Sequence, residues 1–494
     1  MVLIPTGDLK PGVVPYQQQV YNALDCCVTV EVLEKLQHIH QEEPVVYRFE
    51  KALQAPAIEM MCRGILVDEA ARKTAIQSLE EDLAKLDAML QQLAFAVWGR
   101  TVNPRSTIQL QNFFYGAMHL PEIWISDKGK RRLSMNREVL EKLSIYFHAR
   151  PICNIILKIR DLSKKLETLK TEVDHDGRIR TSYNIAGTET GRWSSSASAF
   201  GTGGNLQNWE QKLRRVLVAD PGNILVGIDL EQAESREVGW LSGTIFEEWS
   251  YYDACLAGDL HTLTAKLIWP NRPWTGDPKR DKDLAEEKFY REFSYRDMSK
   301  RGGHGSNYYG TPLTMARHLK VPPKLMADFQ QAYFSAYPGI PKYHRWVAQQ
   351  IQTKHFLETI FGRKRHFFGR ANDDTTLREA IAFLPQSSTA DRMNLILWRL
   401  WKHHGHEIQI LAQIHDAVYF QVREDHPDIP GLIATCLGRF DIDFTHKSGR
   451  KLIVPGEAKV GWNFANQSPA NPDGLAKWKG ALDRVRTTRL DRVM

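Results

Sequence analysis

Two stretches of the chain place apolar residues at alternating steps of three and four. Ile76, Leu79, Leu83, Leu86, Leu90 and Leu93 form the first; Ile155, Ile159, Leu162, Leu166 and Leu169 form the second. That rhythm predicts two helices with one narrow apolar seam each, and two such seams bury each other most simply as an antiparallel pair. The stretch between them, Trp98 to Arg150, holds Asn103-Pro104-Arg105-Ser106 and the basic run Lys128-Gly129-Lys130-Arg131-Arg132. It reads either as a projecting arm with a positive tip or as an ordinary helical hairpin with a solvated charge run. After Thr171 the texture changes. Asp176-Gly177 predicts a turn, and Arg178 to Tyr183 a short strand. The Gly/Ser-rich stretch from Thr188 to Asn208 has the composition of a linker, but Arg192, Asn205, Gln207 and Asn208 are polar side chains that a spacer does not need. Residues 246–380 read as mostly helical, and the last third alternates helix and strand. No internal repeat or low-complexity segment interrupts this order.

Three places carry candidate chemistry. Asn223 to Ile228 is a short apolar strand ending in Asp229, with a polar helix predicted from Glu231 to Gly243. An acid there either holds a cation at the mouth of a sheet or caps the following helix. A second acid lies in Glu407 to Val422, where two β-prone runs flank His415-Asp416 and predict a hairpin. Tight hairpins favour Asn-Gly or Asp-Gly, so His-Asp breaks the local rule, and such breaks concentrate at functional sites. Two carboxylates on separate strands suggest a two-metal site for phosphoryl chemistry, with Asp229 and Asp416 as hard oxygen ligands for Mg²⁺ and the backbone carbonyl of Leu230 assisting. The third place is Arg296, Lys300, His304 and Tyr308, which recur every four residues and share one helical stripe. Two cations followed by two rings suit a triphosphate and a base, while a solvated Arg/Lys face is the plainer alternative. Gly302, Gly303 and Gly305 each cost a helix about 1 kcal/mol relative to Ala, and their missing side chains would admit a ligand close to the backbone.

Composition narrows the class. At 494 residues and 56.7 kDa the chain has room for roughly three domains. Its 43% hydrophobic and 25% charged content is that of a soluble globular protein. No apolar run reaches the ~18 residues that span a bilayer, and the first residues lack the pattern of a signal peptide. Six scattered cysteines without a C-x-x-C pair fit a reducing compartment. A net charge of +7 permits a nucleic-acid partner without requiring one. His403-His404-Gly405-His406 reads as a solvated turn rather than a metal site. No P-loop supports an ATP-driven motor. The basic tail from Lys477 to Arg492 reads as an exposed helix or a DNA contact.

Taken together, these residues resemble family A DNA polymerases, the bacterial DNA polymerase I type. Asp229-Leu-Glu-Gln-Ala-Glu-Ser-Arg236 is similar to their first catalytic motif (D-x-S-Q-x-E-x-R), Arg296 to Tyr308 to the fingers-helix motif (R-x3-K-x7-Y), and Gln413-Ile-His-Asp416 to the second catalytic motif (Q-V-H-D-E). Four further blocks fall in family order: Thr190 to Ser196, Asn205-Leu-Gln-Asn208, Glu358 to Arg365 and Pro385 to Asp391. The resemblance implies an α+β, right-hand fold: 46–175 as a helical coiled-coil thumb, 176–245 as the first part of an antiparallel palm, 246–385 as helical fingers, and 386–494 as the rest of the palm with a C-terminal tail. Residues 1–45 would be the remnant of a 3′–5′ exonuclease-like domain, because Tyr21-Asn-Ala-Leu-Asp25 resembles its last motif (Y-x3-D).

The resemblance also implies the activity: addition of dNTPs to a primer 3′-hydroxyl by two-metal nucleotidyl transfer, releasing pyrophosphate. Asp229 and Asp416 would be catalytic and, with Leu230, metal-binding. Gln232, Glu234, Arg296, Lys300, His304 and Tyr308 would bind the nucleotide, with Glu234 excluding a ribose 2′-hydroxyl. Arg192, Asn205, Gln207, Arg236, Gln386 and His415 would contact DNA. Implied cofactors and partners are two Mg²⁺ ions (Mn²⁺ substituting), primer-template DNA, dNTPs and a separate exonuclease subunit or processivity factor, with no membrane. The expected location is the cytoplasm, a host's if the chain is viral, with an organelle left open. Three departures stand out: Ala417 where the family has an acid, Glu231 for a small Ser, and a phage-like His304 where Phe or Tyr is usual. Asp8 is the one acid in residues 1–20, so no proofreading is expected from this chain alone. A single-subunit RNA polymerase and a non-catalytic DNA-binding relative are the alternatives.

Overall fold

The computed structural model describes residues 16–39, 45–127, 130–198, 201–370 and 373–480. The element that positions everything else is a sheet of nine strands among these residues. Its order is Ile408–Ile414, Ala417–Arg423, Asn223–Leu230, Gly456–Gly461, Gly474–Lys477, Asn463–Asn466, Leu217–Val218, Ile65–Val67 and Arg178–Ile179. All neighbours are antiparallel except Asn463–Asn466 beside Gly474–Lys477. The central strands are β-branched and apolar on one face, and that face is closed by the long helix Asp374–His404. Its Met393, Ile396, Leu397 and Leu400 pack on Ile224, Val226, Ile228, Val418, Phe420 and Val422. At about 25 cal/mol per Å² of apolar surface removed from water, this layer is the main force holding the acid-bearing strands in register.

The two heptad stretches become helices Glu69–Trp98 and Arg150–Leu169. Ile76 and Leu79 share a cluster with Leu169, whereas Leu83, Leu86, Leu90 and Ala94 share one with Ile152, Ile156 and Ile159. The start of one helix therefore meets the end of the other, the antiparallel pair that the seams predict. Asp68 caps the first helix by accepting from the Ala71 amide, and Gly99 ends it at φ 69, where a side chain would be strained. The second seam is rotated from its predicted position: Ile152, Ile156 and Ile159 are buried, Ile155 only half so. Leu93 lies outside the first seam and is 36% exposed, with Ala94 facing inward instead. The segment between the helices is no bare extension. Phe113, Phe114, Val139, Leu140 and Leu143 join the core that Leu90, Ala94, Ile152 and Ile156 of the two helices form, and Trp124–Asp127 pairs with Lys130–Leu133 as a hairpin. Lys128 and Gly129 lie outside the described residues, as do 1–15 with Asp8, and 481–494 with most of the basic tail.

Several local expectations are corrected. Arg178 to Tyr183 is two strands, Arg178–Ile179 pairing with Ile65–Leu66 and Ser182–Asn184 pairing with Ser194–Ser196. The Gly/Ser stretch is therefore structured rather than a linker, and Trp193 within it is buried. The helix after Asp229 runs Ala233–Phe246, and its polar residues face inward. Glu237 pairs there with Arg392 at 3.3 Å, each 1% exposed, and burial pushes the Glu237 carboxyl up. Lys477 ends a strand rather than opening a helix. His403, Gly405 and His406 are exposed where the helix gives way to a turn, as predicted, whereas His404 is buried between Glu407 and Arg439.

The described residues of 246–380 are mostly helical, as the sequence predicts, with two two-stranded pairings among the helices, Lys288–Tyr290 with Phe293–Ser294 and Phe356–Glu358 with Lys364–His366. Tyr295–Asn307 opens on a capping box in which the Ser294 side chain and Asp297 satisfy each other's backbone amides. The glycines of this helix serve packing. A Cβ on Gly302 would stand 2.5 Å from the Phe329 ring, and one on Gly305 2.5 Å from the Met315 sulfur. Gly303 alone also lines a cavity.

Candidate active site

Asp229 is the penultimate residue of its strand, and Asp416 sits in the turn joining Ile408–Ile414 to Ala417–Arg423. Ala417 is the direct cross-strand partner of Asp229, and the Leu230 amide donates to the Asp416 carbonyl over 3.0 Å. Cross-strand neighbours have Cβ atoms about 5 Å apart, so two acids 187 positions apart in sequence share one end of the sheet. The turn keeps them there. His415 has φ 55, in the left-handed region that few non-glycine residues adopt, and the Gln413 side-chain amide donates to its carbonyl at 2.5 Å. Burial, reinforced by the Asp416 charge and opposed by Lys459, pushes the Asp229 carboxyl up to about 6. Burial also raises Asp416, against the pull of Arg192, whose guanidinium stands 3.9 Å away. On the opposite flank Glu457 is the register partner of Asp229, with its carboxylate bound to Lys477.

Next to the acids a bridge joins three elements. Glu234, in the first turn of Ala233–Phe246, accepts from Arg192 on one carboxylate oxygen and from the Tyr308 hydroxyl on the other. Tyr308 is the residue just past the end of Tyr295–Asn307, and its ring meets His304 edge-on with centroids 4.8 Å apart. Lys300 lies further up the same helix and forms no ion pair among the described residues. Arg296 is occupied: its guanidinium takes both oxygens of Asp259, at 2.7 and 3.2 Å, and lies 3.5 Å from Glu286. Lys300, Gly303 and His304 line a cavity of about 300 Å³ with Gln232, His261 and Ser299. Gln232 is held at φ 52, and its Oε1, like the Ser299 Oγ, is buried without a protein partner. Such orphaned polar atoms are costly unless something else fills the cavity.

The predicted DNA contacts divide. Asn205 accepts from Ser195 and from the Gln207 amide; the Gln207 side chain donates to Gln413, which holds the His415 carbonyl. Asn205, Gln207 and His415 are thus tied to the Asp416 turn. Gln386 is half-buried three turns into Asp374–His404, with no hydrogen bond to the acids. Arg236 is set apart from these: it is 6% exposed, and its guanidinium donates to the backbone carbonyls of Glu231 and Ile453, so it braces the helix start. His261 was missed by sequence reasoning. Burial, then Arg296 and other nearby cations, lowers it to about 4, so it faces the cavity as a neutral imidazole. Its local signal, Asp259-Leu260-His261, reads as a helix cap, and Asp259 is that cap.

The acids suit a divalent cation. They are hard donors, both hold a proton more tightly than free carboxylates do, and the one ion pair to them among the described residues is the 3.9 Å approach of Arg192, which also binds Glu234, to Asp416. Among the described residues no group of three or more His, Cys, Asp or Glu is gathered that would hold a metal alone. A cation here would take few protein ligands and complete its shell from substrate and water, the habit of Mg²⁺.

Comparison with known proteins agrees with this layout. The chain is 27% identical over 419 residues to the thermostable DNA polymerase I of Thermus filiformis, covering 80% of this chain and 45% of that protein. It is 26% identical over 480 residues to DNA polymerase I of Chloroflexus aurantiacus, covering 92% and 47%. The chain thus spans less than half the length of the curated relatives it matches. Among solved structures, the POL domain of Pol1 from M. smegmatis, in complex with DNA primer-template and dNTP, superposes with a TM-score of 0.68 at 23% identity, over 85% of this chain and 70% of that one. This likeness establishes the right-hand polymerase fold. The model for DNA polymerase family A matches residues 73–437, most of the chain and all of the acid-bearing strands, and on that ground the chain belongs to DNA polymerase family A.

Proposed function

We propose that the chain is a template-directed DNA polymerase that joins dNTPs to a primer 3′-hydroxyl and releases pyrophosphate. The observation that carries this reading is the meeting of Asp229 and Asp416 at one sheet end, with Gln232, just past the strand of Asp229, lining a cavity shared with Lys300 and His261. Residues 46–175 act as the thumb, 176–245 and 386–494 as the palm, and 246–385 as the fingers.

Asp229 and Asp416 present carboxylate oxygens, with the Leu230 carbonyl beside them, where two Mg²⁺ ions (or Mn²⁺ in their place) would be held. When bound, such ions neutralise triphosphate charge and acidify the primer hydroxyl. Lys300 supplies a positive charge to the triphosphate, and neutral His261 donates a hydrogen bond without adding to the charge it must leave behind when pyrophosphate departs. Arg296, clamped to Asp259, sets the angle of the fingers helix and reaches phosphate only by exchanging that carboxylate for the ligand. Glu234 and Tyr308 close the sugar side of the pocket, and His304 packs against Tyr308. Asn205, Gln207, Arg192, His415 and Gln386 border the path of the primer-template.

Primer extension with Mg²⁺ and dNTPs tests the proposal: extension that copies the template supports it, and no extension under any divalent cation rejects it. The same assay separates it from a single-subunit RNA polymerase. Wild type is expected to prefer dNTPs. Glu234→Ala is expected to raise the rNTP-to-dNTP ratio of kcat/KM by roughly 10- to 100-fold, the range for removing an obstacle or mismatched polar group at one hydroxyl. An unchanged ratio would remove Glu234 from sugar selection. A merely DNA-binding relative would bind primer-template and extend nothing.

A further inference from the structure

A second surface, outside the catalytic pocket, combines rings and positive charge. The hairpin Phe356–Glu358/Lys364–His366 pairs Phe356 directly with His366, and their ring centroids lie 5.5 Å apart. His366 and Phe368 fall on the same face, with centroids 6.2 Å apart and planes only 20° from parallel. The intervening Phe367 turns the other way and is buried against Phe383. Phe356, His366 and Phe368 therefore form an outward row anchored by an inward ring. Phe368 ends that row 96% exposed, a whole aromatic face left to water. The Lys364 ammonium lies 5.7 Å over the Phe356 ring. Residues 354–370 carry five Lys and Arg against one Glu. Of these cations Arg363 is neutralised internally by Asp391 and Glu50, Lys364 faces Glu358 at 3.5 Å, and Arg365 binds Glu379. Lys354 and Arg370 have no acidic partner among the described residues.

We infer that this row is a stacking platform for single-stranded nucleic acid, and that its occupant is the unpaired template strand ahead of the insertion site. An apolar protein partner would gain little from a rim this basic, whereas bases stack on exposed rings and phosphates seek cations, with little regard to sequence. Position selects the strand. The turn of the hairpin touches the loop of Arg192, since Arg365 lies 3.8 Å from Glu189 and a Cβ on Gly191 would strike Arg363. Arg192 in turn faces Asp416. From Phe368 the chain enters Asp374–His404, along which Gln386 lies about 18 Å from the helix start. The platform is thus joined to the surroundings of the acids on two sides, through the Arg192 loop and through the helix that carries Gln386. The choice of the template strand rests on the polymerase reading; the stacking surface does not.

Because the Phe368 ring touches little of the protein, Phe368→Ala is expected to fold normally and to keep its extension rate on a primer-template with a minimal overhang. Its affinity for a primer-template with about ten unpaired template nucleotides is expected to fall roughly tenfold, the scale of one lost base–aromatic stack, with blunt duplex unchanged and Phe368→Trp restoring binding. Fluorescence anisotropy of labelled DNA reads this out, and 2-aminopurine in the overhang should be quenched by wild type and not by Phe368→Ala. Equal affinity of wild type and Phe368→Ala for the overhang, or equal loss on blunt duplex, overturns the platform. Loss of binding only to a displaced 5′ flap overturns the choice of strand. If wild type extends no primer yet Phe368→Ala loses single-strand affinity, the polymerase reading fails and the platform stands.

Discussion

Asp416→Asn is expected to slow primer extension by about 10³-fold, roughly 4 kcal/mol of transition-state stabilisation, while primer-template affinity stays within about threefold. The asymmetry follows from where the carboxylate sits. Asp416 lies at the tip of a turn set by the backbone of His415 and Leu230, so the side chain can change without moving the strand. What is lost is half of the oxygen pair that would hold a cation, which matters when charge builds on the triphosphate and much less when DNA docks. Stability should move the other way. The Asp229 carboxyl is raised to about 6, above its unfolded value, by burial and by Asp416. A carboxyl raised in the folded state makes the protein less stable as pH climbs from the unfolded value through the folded one. Removing the Asp416 charge eases this cost, so with divalent ions chelated the thermal midpoint at pH 7 is expected to hold or rise. A midpoint several degrees lower, with extension lost, would mean that the variant fails by misfolding rather than chemistry.

Lys300→Ala is expected to lower kcat/KM for dNTPs by about 100-fold, chiefly through KM, with template affinity unchanged. Lys300, on the helix Tyr295–Asn307, forms no ion pair among the described residues and faces a cavity that already holds two orphaned polar atoms. A charge-assisted hydrogen bond contributes about 1.5–3 kcal/mol, which sets this scale. Arg296 is the informative contrast: its charge is matched by Asp259 in the absence of ligand, so Arg296→Ala would damage the packing of two helices along with any phosphate contact. Steady-state kinetics on single-nucleotide insertion separates the two, because a loss in kcat with KM preserved at Lys300 would move that residue from ground-state binding to the chemical step.

Much of this site is legible in the sequence because its signals are local. Asp229 ends a run of apolar residues that can only be a strand, and His415-Asp416 occupies a tight turn that folding alone would have given to glycine. The positive φ of His415 is the physical form of that broken rule. The Arg296–Tyr308 stripe follows from helical periodicity, and the heptad helices from theirs. What stays hidden depends on partners remote in sequence. Arg236 looks like a free cation until the Ile453 carbonyl arrives from 217 residues away. Ile65–Val67 gives no sign that it will pair with both Arg178–Ile179 and Leu217–Val218. His261 reads as part of a cap because only the tertiary fold turns it toward Lys300. Gly302 and Gly305 of Tyr295–Asn307 suggested ligand space and instead admit Phe329 and Met315, whereas Gly303 does line the cavity, since a missing side chain looks the same whichever neighbour fills it.

The central claim is that Asp229 and Asp416 act as one unit. A double-mutant cycle on primer-extension rate, comparing Asp229→Asn, Asp416→Asn and the double variant in saturating Mg²⁺, tests it most directly. If the acids share their cations, the first substitution removes nearly everything the second could, and the double variant is expected to be no slower than the slower single variant. Losses that multiply, or a single variant extending at the wild-type rate, would show two independent carboxylates and contradict a shared site.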